Sequence, residues 1–246
     1  FANCIKKLVP LEKHLNFWVN LVAQLIYYGM KYLLIALHVL FLLSTANLKA
    51  QKVGVVLSGG GAKGYAHVGL LKALEENHIP IDYICGTSIG AIVGGLYAIG
   101  YTPAEMEELL GSEQFYKWSQ GKIDIHEEYY YKLKNEQADW VEFDFKKEGD
   151  EIKPQLPTNV IGPEQMDLRF LQFYSPGAAK ARYNFDSLIV PFFCIATDVH
   201  RNKPVVCRSG DLPTSIRASM TFPGYFKPIT MNGVLLFDGG MENNFP

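Results

Sequence analysis

Gly86-Thr87-Ser88-Ile89-Gly90 sets a serine between two glycines, after one apolar run and before another. Ile81 to Cys85 has the length and composition of a short buried strand. Ile89 to Ile99 is predicted to form an apolar helix that stops at Gly100. A serine on a tight strand-to-helix turn carries its hydroxyl at the tip of that turn. Gly86 and Gly90 keep side chains out of the crowded positions beside it. Ser88 is therefore the candidate nucleophile, at a helix N-terminus whose dipole favours negative charge. The alternative for the same residue is a helix-capping serine in a glycine-rich turn.

Upstream, Lys52 to Leu57 is β-branched and apolar, as in a buried strand. It runs into Gly59-Gly60-Gly61-Ala62-Lys63-Gly64, and Tyr65 to Asn77 then has helical spacing. Strand, loop, helix, strand, turn and helix follow in order. That is a βαβ unit with a right-handed crossover and a mostly parallel sheet. Consecutive glycines expose backbone N–H groups, so Gly59, Gly60 and Gly61 are candidate oxyanion donors. The spacing of Gly59, Gly61 and Gly64 also fits a dinucleotide-binding loop. That reading needs an acidic residue at the end of the next strand, where this chain has Cys85-Gly86. No Gly-Lys-Ser/Thr ending supports a P-loop, so no nucleotide is expected. Lys63 is placed near the mouth of the site.

A hydroxyl nucleophile needs a base. His126 lies among acidic residues and His200 follows Asp198 in a loop. His67 falls in the helix after the glycine loop, as a core histidine would. Asp238 closes the apolar strand Val234 to Phe237 and is followed by Gly239 and Gly240. A partly desolvated carboxylate there gains basicity and can accept the serine proton. The alternative is an aspartate that caps its own turn.

The chain has 246 residues, 48% hydrophobic and 20% charged, with a net charge of -2, so no nucleic-acid surface is indicated. Cys4, Cys85, Cys194 and Cys207 show no spacing for a metal site or a disulfide framework. Thr102-Pro103-Ala104-Glu105 is a capping box opening a helix to about Leu110. Residues 112 to 183 are expected to be an insertion packed on one side of the sheet. It is aromatic-rich, with a hairpin around Lys147 to Asp150 and an amphipathic helix from Gln165 to Ser175. Phe192 to Thr197 and Val205 to Arg208 are predicted strands, and Leu212 to Ser219 a helix. Apolar residues near Met220, Phe222, Tyr225 and Phe226 are expected to join the insertion in holding substrate.

Three motifs together resemble the patatin-like lipid acyl hydrolases, in particular secreted bacterial members. They are Gly59 to Gly64, Gly86 to Gly90 and Asp238 to Gly240. The likeness continues through Ala196-Thr197-Asp198, Ile216-Arg217-Ala218-Ser219, Phe222-Pro223-Gly224 and Asn243-Asn244-Phe245-Pro246. The resemblance implies a three-layer α/β/α fold and a Ser88–Asp238 dyad without histidine. It also implies an oxyanion hole from the backbone of Gly59 to Gly61, no metal or organic cofactor, and a membrane phospholipid or other acyl-ester lipid as substrate. His200-Arg201-Asn202-Lys203 departs from the glycine-bearing turn usual in the family. In the bacterial type an outer-membrane β-barrel often follows, and one is expected beyond Pro246.

At the other end, Met30-Lys31, the apolar run Tyr32 to Leu43 and a small-residue exit near Ala50 form a signal-peptide pattern. Residues 1–29 are then an upstream extension, 30–50 the signal, and 51–246 an exported catalytic domain of the periplasm, outer membrane or medium. The competing reading is one membrane helix through Phe17 to Leu43.

Overall fold

A computed structural model describes residues 2–45, 51–122, 144–148, 151–155 and 159–246. The chain divides into two compact units, Phe1–Gln51 and Lys52–Pro246. The first is a single helix, α1 (Ala2–Thr45). Its stretch Phe17–Leu40 is exposed and long and apolar enough to cross a membrane. Residues 30–45 of the expected signal lie inside this helix and its exit near Ala50 lies outside the described residues; a signal sequence and a membrane span both fit the apolar stretch.

The second unit is an α/β fold around a central sheet. Strand β1 (Gly54–Leu57), helix α2 (Ala66–Glu76) and strand β2 (Tyr83–Thr87) form the expected βαβ unit, with β1 and β2 parallel. Helix α3 (Ile89–Ala98) leaves β2 through the Ser88 turn. Helices α4 (Pro103–Gly111) and α5 (Glu113–Ser119) follow, and the Thr102–Glu105 capping box is made in both directions. Strands β3 (Asp144–Glu148) and β4 (Glu151–Gln155) are the antiparallel hairpin read near Lys147. Next come β5 (Asn159–Ile161), α6 (Glu164–Lys180), β6 (Phe192–Asp198), β7 (Lys203–Cys207) and α7 (Leu212–Ser219). The last strands are β8 (Gly224–Phe226), β9 (Ile229–Met231) and β10 (Val234–Asp238).

The pairing around β6 sets up the site. One edge of β6 is covered by β7, antiparallel, from Cys194↔Cys207 to Asp198↔Lys203. The other edge is shared. β2 runs parallel along its first part and ends with Thr87 opposite Ile195. β10 runs antiparallel along the rest and ends with Asp238 opposite Ala196. The C-terminal ends of β2 and β10 therefore meet head to head, one strand step of about 3.3 Å apart along β6. β1 extends the sheet beyond β2, and β9 extends it beyond β10.

The core explains why α3 is apolar all round. It packs against β1, β2, β6, α6 and α7, and every residue from Ile89 to Ala98 except Tyr97 is buried. Gly94 admits Phe192 and Leu57, and Gly95 admits Ile216 and Tyr174. Helices α5 and α6, expected in an added insertion, contribute Phe115, Trp118, Met166, Phe170 and Tyr174 to this same core. Residues 112–122 and 159–183 thus belong to the main body, and of residues 123–158 only the two hairpin strands lie within the described residues. Cys85, Cys194 and Cys207 are buried and free, as small apolar side chains would be.

Two glycines give opposite expectations. A Cβ on Gly90 would fall 2.2 Å from the Leu57 carbonyl oxygen and 2.6 Å from its carbon, rigid strand backbone that cannot yield. Gly90→Ala should cost about 3 kcal/mol. Gly69, inside α2, has nothing within 4 Å of its would-be Cβ. Gly69→Ala should stabilise by about 0.5–1 kcal/mol. Denaturant unfolding of the two variants checks both signs.

Candidate active site

Ser88 occupies the N-cap of α3 at φ 56° and ψ -122°, with no capping hydrogen bond from its side chain. A non-glycine residue in such a sparse region costs about 1–3 kcal/mol and persists only where its surroundings enforce it. The hydroxyl is turned instead toward β10: Ser88 Oγ donates to Asp238 Oδ2 at 2.7 Å, between residues 150 apart in sequence. The helix-capping alternative for Ser88 is thereby set aside.

Asp238 divides its two oxygens. Oδ2 takes the serine proton donor, while Oδ1 accepts Gly240 N–H at 2.7 Å, so the turn-capping role coexists with the contact to Ser88. Its main chain is fixed on both sides. Asp238 N–H donates to Thr221 O at 2.8 Å, and Thr197 Oγ1 donates to Asp238 O at 2.9 Å. The residue is only 6% exposed. Burial pushes the carboxyl above the usual carboxylate range, opposed by the hydrogen bonds from Ser88 and Gly240.

The glycine loop lies against the serine. A Cβ on Gly59 would sit 2.5 Å from Asn244 Oδ1 and 3.0 Å from Ser88 Cβ, so only glycine allows this approach. Gly61 has φ 58° and opens a short 3₁₀ turn, Gly61–Tyr65, that leads into α2. Of the three expected oxyanion donors, Gly59 N–H is already taken by Asn244 Oδ1 at 3.0 Å. The N–H groups of Gly60 and Gly61 have no hydrogen-bond acceptor among the described residues. Gly64 packs on Ile89, Gly86 on the backbone of Gly90, and Gly239 on the Ile195 carbonyl. Gly240 lies against Asp238 Oδ1 and Asn244 Oδ1. Most of these motif glycines are thus places where a side chain would collide with a neighbouring segment.

These groups open on a cavity of about 690 Å³, lined by Gly59, Gly60, Gly61, Ser88, Asp238, Gly240 and Asn244 at its polar end. Its apolar wall includes Phe115, Tyr116, Met166, Met220, Phe222, Tyr225 and Phe226. Of the residues expected to hold substrate, Met220, Phe222, Tyr225 and Phe226 share one wall with Phe115 and Tyr116, whereas Trp118, Phe170 and Tyr174 do not line it and residues 123–143 lie outside the described residues. Gln120 Nε2 donates to Tyr225 Oη at 3.2 Å, joining α5 to β8, and both residues line the cavity.

No histidine lines the cavity among the described residues. The His67 ring Nε2 lies 2.8 Å from Ser58 O, beneath the glycine loop. His200 is exposed, and its N–H donates to Asp198 Oδ1 in the β6–β7 turn. There Asn202 takes φ 52°, the left-handed conformation that a glycine would otherwise supply. His126 lies outside the described residues. Lys63 is exposed and is not among the lining residues.

Sequence reasoning assigned no part to Thr197, Ser219, Asn243 or Asn244, yet all four fasten the motif segments together. Thr87 Oγ1 donates to Asn243 O at 3.1 Å, and Ser88 N–H donates to Ser219 Oγ at 3.0 Å. The segments Ala218-Ser219 and Asn243-Asn244 stood out in the sequence as resemblance alone.

With this geometry in place, residues 55–246 match the family described as patatin-like phospholipase. The chain belongs to the patatin-like phospholipase family. Patatin-like phospholipase domain-containing protein ZK370.4 of Caenorhabditis elegans is 33% identical over 212 residues, 81% of this chain and 12% of that protein. Lysophospholipase NTE1 of Cryptococcus neoformans is 33% identical over 202 residues, covering 81% and 10%. Patatin-like phospholipase domain-containing protein 6 of Mus musculus is 31% identical over 210 residues, covering 81% and 12%. The chain thus spans about a tenth of the length of these patatin-like relatives. They are animal and fungal proteins, and none of their names bears on export or an outer-membrane barrel.

The raised carboxyl has a consequence for stability. A folded state that holds its proton to higher pH than the unfolded chain loses stability as pH rises from the unfolded toward the folded pKa. At neutral pH the ionised Asp238 therefore opposes folding. Asp238→Asn is expected to raise the melting temperature at pH 7, and the gain should vanish below about pH 4, where both states are protonated. Thermal melts of the two proteins across pH measure this.

Proposed function

We propose that this chain hydrolyses acyl esters of lipids through an acyl-serine intermediate, with Ser88 as nucleophile and Asp238 as base. The observation that carries the reading is the 2.7 Å hydrogen bond from Ser88 Oγ to Asp238 Oδ2 beside an apolar cavity. As Ser88 Oγ attacks the ester carbonyl carbon, its proton passes to Asp238 Oδ2. The oxyanion that forms faces the glycine loop, where the N–H groups of Gly60 and Gly61 are available. Gly59 joins them only if Asn244 releases its amide. The tetrahedral intermediate collapses, the C–O bond to the alcohol breaks, and protonated Asp238 returns the proton to the leaving oxygen. Asp238 then takes a proton from water, whose oxygen attacks the acyl carbon. Collapse of the second tetrahedral intermediate frees the fatty acid and returns the proton to Ser88 Oγ. The scheme draws on no metal or organic cofactor.

The apolar wall suits an acyl chain, and the family relationship supports a phospholipid or other acyl-ester lipid as substrate. A membrane span through Phe17–Leu40 would tether the domain to a lipid surface, whereas a signal from Met30 would be removed on export. Treating residues 51–246 as the catalytic domain draws support from the compact unit Lys52–Pro246, which begins one residue later.

Ser88→Ala should lower ester turnover by about 10³-fold or more, and near-normal turnover would reject the mechanism. Activity needs ionised Asp238. The acid limb of kcat/KM should therefore fall above the ordinary carboxylate pKa of about 3.9, as burial of the group requires. Phospholipid presented in vesicles should be cleaved faster than a short soluble ester at equal concentration. The reverse order would identify a soluble-acyl esterase instead.

A further inference from the structure

Ser219, the last residue of α7, is fully buried and stands where the strand ends of the site converge. Its hydroxyl is bonded on both sides. Oγ accepts Ser88 N–H at 3.0 Å and donates to Ile195 O at 2.6 Å. Neither partner is incidental. Ser88 holds an unusual backbone conformation, and Ile195 is the residue of β6 at which β2 stops and β10 takes over. The same Ile195 oxygen is the atom that a Cβ on Gly239, next to Asp238, would meet at 2.2 Å.

β2 turns away into α3 after Thr87, so Ser88 N–H cannot continue the parallel ladder along β6. The Ser219 hydroxyl supplies the missing link as N–H···O–H···O=C, running from the serine turn to the strand that also seats Asp238. Without it, a half-buried donor and a buried acceptor would both lose this partner beside a strained turn. The turn would relax toward an ordinary conformation and carry Ser88 Oγ away from Asp238 Oδ2.

We propose that Ser219 is a positioning residue for Ser88: its hydroxyl holds the serine turn in the conformation that aims Oγ at Asp238. This rests on the reading of Ser88 as nucleophile, and the experiment separates the two. The full chain, purified in detergent, is treated with a fluorophosphonate, and the labelled serine and its labelling rate are followed by mass spectrometry. Wild type should label at Ser88. If it does not, the nucleophile assignment fails and this inference falls with it. Folded Ser219→Ala should label about 10- to 100-fold more slowly. On a short ester its kcat should drop by a similar factor, with KM within about twofold of wild type. Ser219→Thr, which keeps the hydroxyl, should recover most of the rate. Labelling of folded Ser219→Ala at the wild-type rate would overturn the proposal, and so would failure of Ser219→Thr to recover activity while folded. Should Ser219→Ala not fold, Ser219→Cys has a similar shape and a weaker hydrogen-bonding group. It carries the same expectation of slow labelling, and a wild-type rate would refute it.

Discussion

The shared edge of β6 is the constraint on which the site depends. A strand edge offers one row of hydrogen-bonding groups, and here two strands divide it, approaching from opposite directions. Each must leave the edge before colliding with the other. β2 leaves through Ser88 into α3, and β10 leaves through Asp238 into the Gly239–Met241 turn. The two departures face each other across one strand step. Two residues 150 positions apart are therefore brought within hydrogen-bond distance by ladder register, which is stiffer than loop contacts. The polar side chains of Thr87, Thr197 and Ser219 then tie off the groups that each departure leaves unpaired.

Such an arrangement needs backbones closer than side chains normally permit. Gly86 against Gly90, Gly90 against Leu57 and Gly239 against Ile195 are contacts of main chain with main chain. Gly59 instead lies against the side chains of Asn244 and Ser88. The glycines of the three motifs thus serve packing, whatever part their amides take in the proposed chemistry. Only some of them expose amides, and the hydrogen bond of Gly59 to Asn244 shows that a glycine in the loop can be occupied structurally.

Much of this was legible from the sequence because the signals were local. The βαβ unit, the Ser88 turn, the Thr102–Glu105 capping box and helix α7 each carry their own pattern of apolar spacing, caps and breakers. β2 was read two residues early, since Ile81-Asp82 looks like strand and only pairing with β1, from Gly54↔Tyr83, decides where the ladder begins. β8 and β9 have three residues each, too few for an alternation to register. β8 pairs with β5 across more than sixty residues, which no local window contains. The aromatic-rich stretch suggested an insertion because its composition differs from its surroundings. Composition does not reveal that Tyr174 of α6 faces α3, and Tyr174 Oη donating to Ile92 O at 2.9 Å is a long-range contact. Ser219 and Asn244 went without roles for the same reason. A single polar residue at the end of a helix has no meaning until its partner, contributed by a distant segment, is known.

The proposed use of a carboxylate as base fits how little space the junction leaves. Asp238 stands at the tip of its strand with one carbon between backbone and carboxyl group, and its second oxygen is occupied by Gly240 N–H. A short carboxylate reaches Ser88 only because Gly239 and Gly240 let the turn fold tightly behind it. Burial then supplies the basicity that an exposed aspartate lacks, at the expense of stability whenever the group is ionised. Geometry and basicity thus have one origin. The close approach that puts the carboxyl beside the hydroxyl also removes it from water.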